Sequence, residues 1–288
     1  MFLIKEENNM DIMGTLYICP TPIGNLEDIT LRVIRIFQEV DLIAAEDTRH
    51  TIKILNHLKI EKPLLSYHEH NKFKVEQTLI SKLKNGKNIA LVSDAGMPGI
   101  SDPGEELIKR CIEENIETYC LPGPSALINA VVLSGLSTRR FSFEGFLGKS
   151  KKERVSRLEK IKYDDRTLIF YEAPHRLKNT LKDIYAVFGD RKCSAARELT
   201  KKFEEYNRMN LSDMIEYYKE NNPRGEFVLV VEGALNEEKN EIEFTVSIKD
   251  QLNELIREGM EKKDAITYIA KLRKIPKKNV YKESFDND

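Results

Sequence analysis

The sequence is short of the signatures that classify a chain quickly. Its four cysteines, Cys19, Cys111, Cys120 and Cys193, form no C-x-x-C pair. That leaves no disulfide framework or redox motif and fits a reduced, cytoplasmic protein. No N-terminal apolar run is long enough for a signal peptide or a membrane span, so no membrane partner is expected. Neither G-x-x-x-x-G-K-[ST] nor G-x-G-x-x-G follows any predicted strand, which removes the common cradles for nucleotide phosphates. Tandem repeats are missing too. The formal net charge of −1 excludes little, because a neutral total can hide patches of both signs.

What is present is alternation. At 288 residues the chain has room for one large or two medium domains and a small accessory piece. Short β-branched runs predict strands at TLYIC, DLIAA, PLLSY, NIALVS and IETYCL. Helical periodicity falls between them at about residues 31–39, 48–58, 72–84 and 103–115. This βα order implies a mainly parallel sheet. A second series, FSFEGF, TLIFYE, CSAARE, KFEEYN and EFVLVVEG, runs strand directly into strand and suggests a mixed or antiparallel sheet. The expected fold class is therefore α/β, with two α/β subdomains and a crevice between them. The expected divisions are an N-terminal extension at 1–13, with no assigned function, subdomains at 14–122 and 123–240, and a helix-turn-helix-like appendage at 241–288. In that tail, Lys263 or Asp264 is expected near a helix cap, with Ile266, Ile269 and Leu272 on one face.

The stretch LVSDAGMPGISDPGEEL joins a predicted strand to a predicted helix through a long polar loop. Asp102, Pro103 and Glu105 read as N-cap, N1 and N3 of a helix beginning at Pro103. Asp94 to Ser101 are left over, with Gly96 and Gly99 permitting close backbone approach, and read as a ligand loop in preference to a plain connector. Two acids there disfavour a polyanion and suit a ligand with hydroxyls, an amine or positive charge, a description met by S-adenosylmethionine. In CLPGPSALINA, small residues at Ser125 and Ala126 admit an adenosyl group and helix-start amides could hold a carboxylate; a plain tight turn fits equally well. The third strand end, FYEAPHR, leads into a helix begun by Pro174.

The runs GTLYICPTPIGNLEDIT, AAEDTRHT, SYHEHN, LVSDAGMPGISDPG, LPGPSA, FYEAPHR and RGEFVLVVEG resemble the small-subunit ribosomal RNA methyltransferases of the tetrapyrrole methylase superfamily, over Gly14 to Gly233. The resemblance implies methyl transfer from S-adenosylmethionine to the ribose 2′-hydroxyl of a decoding-centre cytidine, cytidine 1402 of 16S rRNA, by a homodimer with its cofactor between the two halves. Tetrapyrrole-modifying relatives carry a G-x-G-x-G-[DS]-like turn after the first strand, where this chain has Pro20-Thr21-Pro22-Ile23-Gly24-Asn25, which argues against a tetrapyrrole substrate. Carried over motif by motif, the cofactor should touch Asp94, Ala95, Gly96, Ile100, Ser101, Ser125, Ala126, Tyr171 and Glu172, with Gly225 and Glu226 closing the far side.

Two basic segments bear on the partner. Lys149 to Lys162 holds seven basic residues against two acids, and Arg257 to Lys282 nine against three. A solvated helix face is the ordinary reading of such runs. The alternative is phosphate contact by Lys149, Lys151, Lys152, Arg154, Lys277 and Lys278 on 16S rRNA or the small subunit, with no DNA partner expected. Methyl transfer to a hydroxyl requires alignment and benefits from a proton acceptor. Arg49, His68 and Glu46, just past two predicted strand ends, are the candidates; a polar loop is the plain reading of the His-Glu-His triplet, which supplies too few ligands for a closed zinc shell. No metal is expected. Rival readings are a superfamily methyltransferase acting on a small molecule or protein, and a non-enzymatic rRNA-binding assembly factor.

Overall fold

A computed structural model describes residues 13–235, 246–273 and 275–283. Most of the expected N-terminal extension, and the expected boundary at 240, lie outside the described residues. The chain separates into two units, Met1–Gly233 and Ala234–Asp288.

The first unit contains two sheets. β1 (Leu16–Ile18), β2 (Leu42–Ala45), β3 (Leu64–Ser66), β4 (Ile89–Val92) and β5 (Thr118–Cys120) alternate with α1 (Leu31–Glu39), α2 (Thr48–Leu58), α3 (Lys72–Lys84) and α4 (Glu105–Glu113). The strands are all parallel in the order β3-β2-β4-β1-β5. Both faces are covered, as an all-parallel sheet requires. Ile89 and Leu91 point to one buried cluster, and Ala90 and Val92 to the other. Successive residues of a strand face opposite sides, so a fully covered strand must be apolar throughout. In this order the connection leaving β1 runs one way and that leaving β4 runs the other. The loops after these adjacent strands therefore part at a topological switch point, where open α/β sheets bind ligands.

The second sheet begins after α5 (Ala126–Leu133). It is built from β6 (Phe141–Phe146), β7 (Thr167–Glu172), β8 (Lys192–Arg197), β9 (Glu205–Asn210) and β10 (Phe227–Val231), with α6 (Lys151–Ile161), α7 (Pro174–Phe188) and α8 (Leu211–Glu220). Its order is β6-β7-β10-β8-β9, antiparallel except for the β6–β7 pair. Phe227, Leu229 and Val231 of β10 join the core beneath α6, α7 and α8, whereas Val228 and Val230 join the cluster containing Leu127, Ala130 and Val131 of α5. The sheet is thus mixed, as expected.

Two boundaries differ from the sequence expectation. The strand expected at KFEEYN starts three residues later, at Glu205, where Arg197 pairs with it, and Lys202 and Phe203 fall in the preceding turn. Pairing with β8 sets this register, because Phe203, Tyr206 and Met209 recur every third residue and offer no period-two pattern. Helix α4 does not start at Pro103 under an Asp102 cap. It starts at Glu105, with Gly104 at the N-cap in a positive-φ conformation (+147°) and no side-chain cap bond. The loop turns back here against β4, where a Cβ on Gly104 would stand 3.0 Å from Leu91 Cδ2.

The second unit holds α9 (Ile248–Arg257), α10 (Lys262–Leu272) and α11 (Lys277–Glu283). Leu252, Ala265, Ile266, Ile269, Ala270 and Val280 form its core. Helix α10 has its N-cap at Glu261, two residues ahead of Lys263 and three ahead of Asp264, with no side-chain cap bond, and Leu272 is only half-buried.

Candidate active site

Hydrogen bonds fix the loops at the switch point to one another. Thr21 and Gly96 exchange two backbone bonds of 2.9 Å, and Thr21 Oγ1 donates to the Ser93 carbonyl. The polar turn after β1 is thereby stitched to the loop after β4. The ends of β2 and β4 are tied in both directions: the Asp47 amide donates to Asp94 Oδ1 at 2.9 Å, and the Asp94 amide to Glu46 Oε2 at 3.3 Å. Gly123 is demanded by close approach, since a Cβ there would lie 2.3 Å from Pro20 Cγ.

The second sheet closes over this platform. The Asn25 amide donates to Thr200 Oγ1 at 3.1 Å, and Gly24 packs so tightly that a Cβ would meet the Leu199 carbonyl oxygen at 2.7 Å. Among the described residues, five non-glycine positions have positive φ: Lys59, Asn115, Ser101, Glu198 and Thr200. Lys59 and Asn115 lie at helix C-termini, where the left-handed conformation is ordinary. The other three lie on or beside the cavity between the sheets, a place where local strain is commonly held.

That cavity has a volume of about 350 Å³, within the range of roughly 300–1,000 Å³ usual for small-ligand sites. Asp94, Ala95, Gly96, Ile100, Ser101, Ser125, Ala126, Tyr171, Glu172 and Glu226 all line it. Gly225 does not; it lines a neighbouring pocket. Its part is indirect, because at φ +77° it lets the Glu198 side chain approach to where a Cβ would be 2.3 Å from Oε1. Phe143 and Phe146 meet the Tyr171 ring edge-on at 4.9 and 5.6 Å, giving one wall an aromatic surface. Burial pushes the Tyr171 hydroxyl up to about 12. Glu172 is buried and satisfied from its own lobe: Oε1 accepts from the Ala173 amide at 2.8 Å and Oε2 from the Thr180 hydroxyl, while Arg176 Nε lies 3.3 Å away.

Of the three candidates for proton transfer, the structure brings only Glu46 to the cavity. Burial, reinforced by the Asp94 charge, raises its carboxyl. Arg49 points outward with its side chain 88% exposed and holds Asp47 at 2.7 Å, keeping that carboxyl down at about 2. His68 is half-buried outside the lining, near enough for its charge to act on Glu46. Asp102, read from sequence as a helix cap, instead faces the cavity. Burial, then Glu46, Asp94 and Glu226, push it up to about 7 against a hydrogen bond to Ser93 that pulls it down. Among the described residues, no group of three or more histidine, cysteine or acidic side chains is arranged to hold a metal ion.

Sequence and structure comparisons agree on this architecture. Residues 15–215 match the family described as Tetrapyrrole (Corrin/Porphyrin) Methylases. The chain belongs to the tetrapyrrole methylase family. Within it, a relative from Synechocystis sp. is 47% identical over 275 residues, covering 95% of this chain and 98% of the relative. Another from Bacillus subtilis is 48% identical over 277 residues, covering 95% of each. Both are named ribosomal RNA small subunit methyltransferase I. A solved cobalt precorrin-4 methyltransferase shares the fold at TM-score 0.58 and 16% identity, over 76% of this chain and 94% of its own. So does diphthine synthase, at TM-score 0.60 and 14% identity, over 76% and 90%. This tetrapyrrole methylase is therefore a methyltransferase, and a purely non-enzymatic role is set aside.

The basic run of this tetrapyrrole methylase divides by burial. Lys149, Lys151 and Lys152 are exposed, around the α6 N-terminus capped by a Ser150–Glu153 box. Arg154 is not available as the run suggested. It is buried and paired with Asp183 at 2.7 Å, and it donates to the Lys149 carbonyl at 3.0 Å. Its place one turn into α6 faces the core, a fact that charge composition hides. Lys277 and Lys278 are exposed on α11. Besides Asp102, sequence reading missed Glu198, Leu199 and Lys201 in the cavity wall: Glu198 was read as the end of a strand, and Leu199 and Lys201 as the plain connector that follows it.

Proposed function

We propose that the protein transfers the methyl group of S-adenosylmethionine to a ribose 2′-hydroxyl of small-subunit ribosomal RNA, at cytidine 1402 of 16S rRNA. The observation that carries this reading is the polarity of the cavity. Glu46, Asp94, Asp102, Glu172, Glu198 and Glu226 line it, against the single basic side chain of Lys201. A polyphosphate would be repelled, whereas a compact cationic ligand gains from every unpaired carboxylate. The names of the relatives support the ribosomal RNA acceptor.

The residues present suit that donor. The Phe146–Tyr171 corner offers a stacking surface for a flat heterocycle. The first amides of α5, beyond Ser125, offer donors for a carboxylate. The acids of the β2 and β4 ends suit a sulfonium and an ammonium group. When bound, the cofactor supplies an activated methyl group. The chain's task is to hold the acceptor hydroxyl in line and take its proton. Asp102 and Glu46, both with raised proton affinity, face the space where that proton is released; Arg49 and His68 lie outside the lining and would act on the acceptor from its edge. Exposed Lys149, Lys151, Lys152, Lys277 and Lys278 would neutralise backbone phosphates. A homodimer would bury the apolar surface formed by Met97, Pro98, Ile100, Ile108, Ile112 and Cys120, which shares Met97 and Ile100 with the cavity. This chemistry belongs in the cytoplasm, beside the ribosome.

The test is methyl-labelled S-adenosylmethionine with purified protein and small ribosomal subunits lacking the modification, followed by mapping of 2′-O-methyl groups. Label at cytidine 1402 is expected. Label on a base, or on no RNA at all, refutes the reading.

A further inference from the structure

A second pocket, about 580 Å³, adjoins the cavity. Glu198 lines both, and the consecutive residues Gly225 and Glu226 face the second and the first respectively. One side chain and one peptide therefore separate them. The rim of this second pocket carries Phe203, 69% exposed, in the turn between β8 and β9. Lys202 places its ammonium 5.7 Å from the centre of that ring. Opposite, in the turn from α8 to β10, Arg224 is exposed, and no ion pair to it or to Lys202 is seen among the described residues. Of the acids lining it, Glu205 is engaged by Arg197 and Glu198 by Lys201 at 3.1 Å, while Glu220 is exposed at its edge, with no ion pair among the described residues. Asn221, exposed in the same turn, donates its side-chain amide to the Tyr217 carbonyl at 2.9 Å.

An exposed aromatic ring beside uncommitted cations, over a nucleoside-sized hollow, is the combination by which proteins hold single-stranded nucleic acid. We propose that this pocket binds the nucleotide adjacent to the one being methylated, with Phe203 stacked on its base and Lys202 and Arg224 on the flanking phosphates. The thin shared wall sets a nucleotide held here beside the mouth of the cofactor cavity, where its neighbour in the strand would present its ribose. This inference rests on the ribosomal RNA reading above and adds a site to it.

The experiment uses the full-length protein, a fluorescein-labelled single-stranded oligoribonucleotide carrying the target sequence, and the same strand in a duplex. Fluorescence anisotropy reads RNA binding, calorimetry reads S-adenosylmethionine binding, and methyl transfer gives KM and kcat separately. Phe203→Ala should weaken single-strand binding by about 5- to 150-fold, the range for losing one stacked base. It should raise KM more than it lowers kcat and leave cofactor affinity unchanged. Phe203→Trp should retain binding where Phe203→Leu does not, and Arg224→Ala should weaken binding and flatten its salt dependence. Wild-type affinity in Phe203→Ala, or equal affinity in the Leu and Trp variants, overturns the subsite while leaving the methyltransferase reading intact. A wild-type protein that binds no single-stranded RNA overturns the subsite, and one that also leaves unmodified small ribosomal subunits unmethylated brings down both.

Discussion

Asp102→Asn is the sharpest probe of the cavity, because it removes a charge whose titration falls near neutrality. In the free protein this carboxyl is held up at about 7, mainly by burial and then by Glu46. A cationic ligand in the same cavity favours the ionised form. At an effective dielectric constant of about 20 and a separation of about 10 Å, a unit charge contributes about 1.7 kcal/mol, which lowers the carboxyl by somewhat more than one pH unit. Binding of S-adenosylmethionine should therefore strengthen by about tenfold between pH 5.5 and pH 8.5. Isothermal titration across that range measures it, and the Asn variant should show a much flatter profile, with any residue from Glu46. The stability counterpart has the opposite sense. Unfolded aspartate releases its proton near pH 4 and folded Asp102 near 7, so the folded state binds more protons between those values and stability falls as pH rises through them. Asp102 is partly solvated, and after screening the loss is about 1–2 kcal/mol above pH 7. Asn should recover that amount at pH 8 in a denaturant titration. A wild-type binding profile independent of pH, or an unchanged slope in Asp102→Asn, refutes the argument that this side chain faces the bound cation.

Three further outcomes follow from the packing. Gly225→Ala should destabilise by about 1–3 kcal/mol, because φ is +77° and the added methyl meets Glu198; thermal denaturation reads the loss, and cofactor affinity should fall with the displaced Glu198. Arg154→Ala leaves Asp183 buried and unpaired, at about 3–5 kcal/mol, whereas reversing Lys151 and Lys152 to Glu should spare stability and weaken salt-dependent rRNA binding. Equal stability losses in both would contradict the division between buried and exposed charge. Thr180→Val removes the hydroxyl that satisfies Glu172 and should cost about 1–3 kcal/mol in chemical denaturation.

The parallel sheet was readable from sequence because its three inner strands, LYI, LIAA and IALV, are uninterrupted apolar runs set among amphipathic helices, a pattern few other architectures share. The loop Asp94 to Ser101 was readable for a related reason: capping left those residues without a local purpose. Where reading failed, a local signal competed with a distant partner. Asp-Pro-x-Glu is a sound helix start in isolation, and it is overridden at Asp102 because the chain must turn back on Leu91 through Gly104. Arg154 carries no mark that separates it from its neighbours until Asp183, 29 residues on, comes to meet it. Glu198 and Lys201 reach the cavity only through the β8–β9 pairing, whose register KFEEYN does not announce.

Helix α5 has one more consequence. Its apolar face is embedded against the second sheet through Leu127, Ala130 and Val131, while the turn that launches it is wedged against Pro20 of the first. With Gly24 and Asn25 clasped to residues 199–201 as well, the halves are yoked at several points, and a clamshell opening would have to break all of them. Such ties oppose a wide opening of the cleft and favour small side-chain displacements at its lip. The exposed ring of Phe146, at 56% of its free surface, is the part best placed to give way.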